Sequence, residues 1–175
     1  MTLMEAINHL DAVKPNSYGQ REKITWLSNL DGLIKKEIIE THEHDVELIE
    51  NKSTGKVDLV AFDMVIDSFS INEKGEYVSK KGTTYANKQA VIAYGKGAKY
   101  PYSGYTEADL MKDLIARAPY DDIYIKWLEA KIDFANGEYL KYNNSALAFN
   151  EEYQRFARCY HREHRPINTA KFTNF

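Results

Sequence analysis

Cysteine is nearly missing from this chain. Cys159 is the one thiol in 175 residues, so no internal disulfide can form. A reducing setting, the cytoplasm or a particle assembled there, is expected. Long apolar runs are missing too. The longest uncharged ones, such as Ala90 to Tyr94, span a few residues, far short of the roughly 20 a spanning helix needs. No basic stretch precedes an apolar one between Met1 and Leu10, so no secretory leader is expected. An excess of one charge is also lacking. The formal net charge is -3, which argues against a strongly basic nucleic-acid binder. Low-complexity tracts and solenoid-period repeats are absent.

The usual chemical signatures are lacking as well. There is no HExxH, no cysteine-rich ligand spacing and no Gly-x-Ser-x-Gly elbow. Gly95-Lys96-Gly97-Ala98-Lys99 has neither the four-residue spacing nor the Gly-Lys-Ser/Thr ending of a phosphate loop, and it reads as a mobile basic loop. His161 and His164 could share a helix face, but a catalytic zinc needs a third protein ligand. Together with His42 and His44, they read as cations near helix C-termini. Cys159 lies on the apolar face of Phe156 and Tyr160 and reads as a small core residue. Asp121-Asp122 and Glu151-Glu152 each read as first-turn acids of helices. No catalytic, cofactor or metal residue is assigned, and the chain is not expected to be an enzyme. A hydrolase with a metal at the histidines is the weakest of three readings.

What is present is enough apolar residue for a core and an unusual amount of tyrosine. The 20.2 kDa chain is 43% apolar, and a chain of this mass can bury about 70% of its unfolded surface. Thirteen residues are Tyr, and only Tyr18 lies before residue 77. Tyrosine couples a large apolar area to a polar tip, which suits interfaces and water-edged cores.

Periodicity divides the chain into zones. Up to residue 44 it reads as two helices. Thr2 to Glu5 is a capping box, Leu3, Ile7 and Leu10 follow at helical spacing, and Pro15 breaks the first helix. Ser17 to Gln20 can open the second in the same way, with Ile24, Leu27, Ile34 and Ile38 on one face. Residues 45–105 change period. Val57–Phe62 and Met64–Phe69 are strand-like, Ser53–Lys56 and Asn72–Gly75 are turns, and Ala90–Tyr94 is a candidate further strand. From Ile125 to Tyr160 the apolar steps alternate three and four, the spacing of a helix-packing seam. Asn143-Asn144-Ser145 predicts the turn of a helical hairpin there, with one bent helix of about 40 residues as the alternative. The expected fold class is mainly α with a β-rich insertion (α+β): a helical body of residues 1–44 and 106–165, the insertion 45–105 and a tail 166–175.

The residues also carry a family likeness. Ala6-Ile7, Leu10-Asp11, Lys14-Pro15-Asn16, the run Lys23 to Gly32 and Glu37 to His42 resemble the start of small head-to-tail connector (adaptor) proteins of tailed phages and prophages. So do Pro119 to Asp122, Tyr124, Trp127 to Ala130, Ile132-Asp133, Asn136 to Glu138, Tyr142 to Ser145, Phe149-Asn150, Tyr153, Phe156, Tyr160 and His164 to Pro166. Here an insertion of about 50 residues departs from that pattern, far beyond an ordinary connecting loop.

The resemblance implies a mostly helical virion protein of the phage neck, assembled in the host cytoplasm. It implies a homo-oligomeric ring, commonly of about twelve copies, closed by lateral contacts. Its partners would be the portal protein and a tail-side connector or stopper. DNA would pass through the channel transiently, and no membrane would be involved. The tyrosines of the seam (Tyr124, Tyr139, Tyr142, Tyr153, Tyr160) are explained as core. Tyr85, Tyr94, Tyr100, Tyr102 and Tyr105, in or beside the insertion, and Phe172 and Phe175 of the tail are candidate interface residues. The alternative is a small DNA-binding or packaging accessory protein, with Arg158, Arg162, Arg165 and Lys171 as candidate phosphate contacts.

Overall fold

The computed structural model of the chain describes residues 1–62, 64–99 and 102–167. It is a mixed α+β protein with five α-helices and a five-stranded antiparallel sheet among those residues. The chain forms two compact units, one of Met1–Ile38 with Tyr102–Glu163, the other of Ile39–Pro101 with His164–Phe175.

The first unit is helical: α1 (Leu3–Val13), α2 (Gln20–Glu37), α4 (Asp122–Ala135) and α5 (Tyr139–Glu163); α3 (Lys88–Lys96) belongs to the second unit. Helix α1 starts as expected, with the Thr2 hydroxyl accepting from Glu5 N and Glu5 accepting from Thr2 N at 2.7 Å. Helix α2 starts later than Ser17 suggested. Gly19 is its N-cap, and the Glu22 carboxylate takes the Gly19 amide at 3.0 Å. Leu3, Leu10, Leu27, Leu30, Ile34, Ile123 and Leu128 are fully enclosed. At about 25 cal/mol per Å² of apolar area, burying each such side chain is worth roughly 1.5–3 kcal/mol before chain entropy is subtracted.

The hairpin exists, but its turn is not at Asn143-Asn144-Ser145. It lies at 136–138, between α4 and α5. Gly137 takes φ +72°, its amide reaches Phe134 O at 3.0 Å, and Glu138 N reaches Asp133 O at 2.9 Å. Those two bonds are a Schellman ending, which a left-handed glycine permits. Helix α5 runs unbroken through 143–145. Ser145 is used within it, its Oγ 3.0 Å from Lys141 O and 2.5 Å from Asp133 Oδ2, so a residue read as a cap is a cross-helix tie. Glu151 and Glu152 therefore lie in the middle of α5 and not in a first turn. The seam also frays where the helix begins, because Tyr139 is 64% exposed and is no core residue.

The second unit is a meander with strand order β1-β2-β3-β4-β5: Glu47–Asn51, Lys56–Ala61, Met64–Ile71, Tyr77–Ser79 and Thr84–Tyr85. Asn51 and Asn72 build the turns that punctuate it. The Asn51 side chain accepts from Ser53 N and Thr54 N, and that of Asn72 accepts from Lys74 N and Glu76 N. A bulge between Leu59 and Val60 shifts the β2–β3 register.

The run Ala90–Tyr94 is helical, not a strand. Helix α3 (Lys88–Lys96) begins where the Asn87 side chain accepts from Ala90 N at 2.9 Å. Its Val91 and Gly95, four apart, lie against the sheet, where Val91, Leu59 and Phe69 are fully buried. A short apolar run fits either state, and here the cap and the four-residue spacing decide. A Cβ on Gly95 would sit 2.8 Å from Leu59, so Gly95 allows the close approach. It belongs to the end of a packed helix and not to a mobile loop. Glu43 N donates to Arg165 O (2.7 Å) and Ile167 N to Thr41 O (3.1 Å), pinning the start of the tail to residues 41–43.

Candidate functional site

In the first unit, the segment after residue 101 is fastened to α2 by tyrosines. Tyr102 OH donates to Ser28 O at 2.7 Å, and Tyr105 N donates to Ser28 Oγ at 2.8 Å. Tyr105 OH donates to Asp31 at 2.5 Å. Asp31 also accepts from Tyr124 OH at 2.6 Å and from Ile115 N at 3.2 Å. Asp31 is fully buried, and burial pushes its carboxyl up to about 6 against the pull of those three donors. Tyr124 is raised well above its usual range by burial and by the same carboxylate. Its hydroxyl accepts from Ala116 N at 2.7 Å as well, so both its capacities are used.

A second buried carboxylate, Asp133, is held by Lys14 Nζ and by Ser145, tying α1, α4 and α5 together. Burial pushes this carboxyl up, but the hydrogen bonds from Lys14 and Ser145 outweigh that and hold it below its ordinary value. Trp127 joins α4 to α2 through Nε1–H to Trp26 O at 2.7 Å, and its ring packs on Phe149 at 4.9 Å.

The candidate interface residues divide between the units. Tyr102 and Tyr105 belong to the helical unit and are half-buried, packed edge-to-face at 5.9 Å. Tyr85 and Tyr94 lie 5.2 Å apart in the sheet unit, both beside Phe69, with Tyr94 39% exposed. Tyr100, Phe172, Phe175 and Lys171 lie outside the described residues. Among the basic candidates, Arg158 and Arg162 are exposed one turn apart on α5, and Arg165 is exposed beyond its end. Arg155 is engaged with Glu152 at 3.5 Å and lies 5.5 Å over the Tyr120 ring.

The histidines do not form a metal set. Among the described residues, no three His, Cys, Asp or Glu side chains are placed to hold an ion. His44 is buried, its ring 5.8 Å from Phe62, and burial pushes its pKa down. His164 Nε2 lies 3.8 Å from Asp45. Cys159 is buried, with Sγ 3.1 Å from Glu163.

Two features escaped the sequence reading. One is the Asp31 cluster, whose signal was available: Ile24, Leu27, Asp31, Ile34 and Ile38 step by three and four, placing a carboxylate within an apolar face. The other is an apolar patch beside the hairpin turn, where Phe134 (57%), Tyr139, Leu140 (84%) and Leu147 (61%) are exposed. Leu140 and Leu147 are seven apart and off the seam.

No described helix is long and apolar enough to cross a membrane. Compared with protein-family models, with curated proteins and with solved structures, the chain gives no match.

Proposed function

We propose that the protein is a structural subunit of the head-to-tail connector (adaptor) class, which binds beneath a phage or prophage portal as a ring, extends the DNA channel and docks a tail-side or stopper protein. One observation carries this reading. The two distant segments that resemble connectors, up to His42 and from Pro119, supply the four α-helices of one compact unit (Met1–Ile38 with Tyr102–Glu163), with only their ends, 39–42 and 164–166, in the other, while most of the chain between them makes that separate sheet unit. That is the arrangement of a connector frame bearing an accessory module. The exposed apolar patch at the α4–α5 turn supports it, because a helical body that packs laterally needs such a surface.

The work in this reading is recognition. The net charge of -3 per copy suits a conduit through which DNA slides without being held. Size-exclusion with light scattering of the protein mixed with its portal tests the proposal. A twelve-copy ring of 20.2 kDa subunits adds about 240 kDa to the portal peak. The alternative, a DNA-binding or packaging accessory, is favoured by exposed Arg158 and Arg162. It predicts instead no portal complex and DNA affinity that falls steeply with salt.

A further inference from the structure

Asn143 and Asn144 are left unused by the fold of the helical unit. Both are exposed in the first half of α5, and among the described residues neither side chain makes a hydrogen bond. Asparagine is a poor helix former, so two in succession inside a helix call for a reason. They stand between Leu140 (84% exposed) and Leu147 (61%), and the four residues step by three and four along one stripe. Phe134 (57%) and Tyr139 (64%) flank it, their rings 6.4 Å apart. Charge is scarce here. Residues 139–150 hold one charged side chain, Lys141, which is bound to Glu138 at 2.8 Å, whereas residues 151–163 of the same helix hold six.

Exposed aromatic and aliphatic residues with few charges have the composition of an interface centre. We propose that this stripe packs antiparallel on the same stripe of a second copy, about a two-fold axis passing between Asn143 and Asn144. Leu140 then meets the partner's Leu147, and the symmetry makes that contact twice. At the centre each Asn143 lies beside the partner's Asn144. An amide side chain both donates and accepts, so the two can bond each other and fix the register, as a polar position does within a coiled coil. A slip of one turn would set asparagine against leucine and leave the amides unbonded. A charged occupant finds no counter-charge on the stripe, whereas a second copy supplies leucine for leucine and amide for amide. Two aromatics and two leucines, each more than half open, offer on the order of 400 Å² of apolar surface per copy. With the amides around them the pair covers about 1,000 Å² in total, the lower end of specific interfaces, so the dimer is a micromolar one that dissociates on dilution. The contact does not rest on the connector reading. Where that reading holds, the dimer covers a surface that ring packing uses and must open first.

Sedimentation velocity of the full-length protein, from about 1 to about 200 μM, tests the contact. The mass should rise with concentration from 20.2 kDa toward twice that value. Leu140→Lys alone and Leu147→Glu alone should each stay monomeric over this range, since each sets a charge against leucine twice. Both side chains are exposed, so folding is spared. An equimolar mixture of the two variants should dimerise again, because a mixed pair sets the introduced lysine against the introduced glutamate and keeps one leucine pair. A monomer at the highest concentration, an undiminished dimer of either variant, or no recovery on mixing overturns the proposal. Orientation has its own readout. Positions 140 and 147 of one copy are about 10 Å apart along the helix, too far for a disulfide. Leu140→Cys mixed with Leu147→Cys should therefore give a disulfide-linked mixed dimer under mild oxidation. Linking of Leu140→Cys to itself in place of the mixed dimer means parallel packing and overturns the proposal as well.

Discussion

Replacing Tyr124 by phenylalanine removes one oxygen from a fully buried site, and its consequences can be worked out group by group. The hydroxyl donates to Asp31 Oδ1 at 2.6 Å and accepts from Ala116 N at 2.7 Å. Without it, the Ala116 amide loses this acceptor in a dry environment, worth roughly 1–3 kcal/mol. Asp31 loses one of three donors, and a hydrogen bond to a charged group contributes about 1.5–3 kcal/mol. The two losses share a site and do not simply add. Relief from burying a hydroxyl offsets part of them. A destabilisation of about 3 kcal/mol at neutral pH is expected for Tyr124→Phe. With a urea m-value of about 2 kcal/mol/M, that moves the unfolding midpoint down by about 1.5 M. The loss should shrink below pH 6, where a protonated Asp31 needs one donor fewer. A midpoint shift under about 0.3 M, with m unchanged, would refute the claim that this hydroxyl is a working member of the cluster.

Asp31→Asn should alter the pH dependence of stability in a defined direction. The folded carboxyl titrates at about 6 against an ordinary 3.8, so the folded state holds the extra proton between those values. Stability from this group is full below about pH 3.8 and is lost as pH rises through 6, by up to about 3 kcal/mol. Urea midpoints from pH 4 to 7 should fall in the unmodified protein and fall less in the variant; parallel curves would contradict the assignment. Asp133 acts with the opposite sign, since its folded value is depressed. Its contribution is present above pH 3.8 and lost in acid, so Asp133→Asn should flatten the acid limb in the same titration. Trp127→Ala should cost about 3 kcal/mol through lost packing on Phe149 and the lost bond to Trp26 O, read by thermal unfolding. Gly137→Ala should cost about 1 kcal/mol because of its φ of +72°, whereas Asn144→Ala, exposed within α5, should be near neutral or slightly stabilising. A reversed order in urea would put the turn back at 143–145.

The helical frame was legible because its apolar positions recur at three and four, and burial of Ile24, Leu27, Ile34, Leu128, Ile132, Phe149 and Phe156 follows that spacing. The capping box at Thr2 was legible for the same local reason. The hairpin turn was misplaced because Asn143-Asn144-Ser145 has good cap chemistry, while the decisive signal was one glycine after Asn136, inside an unbroken apolar register. Local preference lost to a tertiary tie, Ser145 to Asp133. The run Ala90–Tyr94 was read as a strand because five apolar residues carry too little period to decide. The helix follows from Asn87 and from packing on Leu59, a contact across 36 positions. Asp31 shows the limit of composition: a carboxylate on an apolar face announces burial, but its partners Tyr105, Ile115 and Tyr124 lie more than 70 residues away.

Negative-stain imaging of the portal mixed with this protein tests the central claim most directly. A connector subunit predicts a second ring of density, coaxial with the portal on its tail side and symmetric about its channel. A portal whose outline and mass are unchanged at saturating protein, with the protein running free, would contradict it.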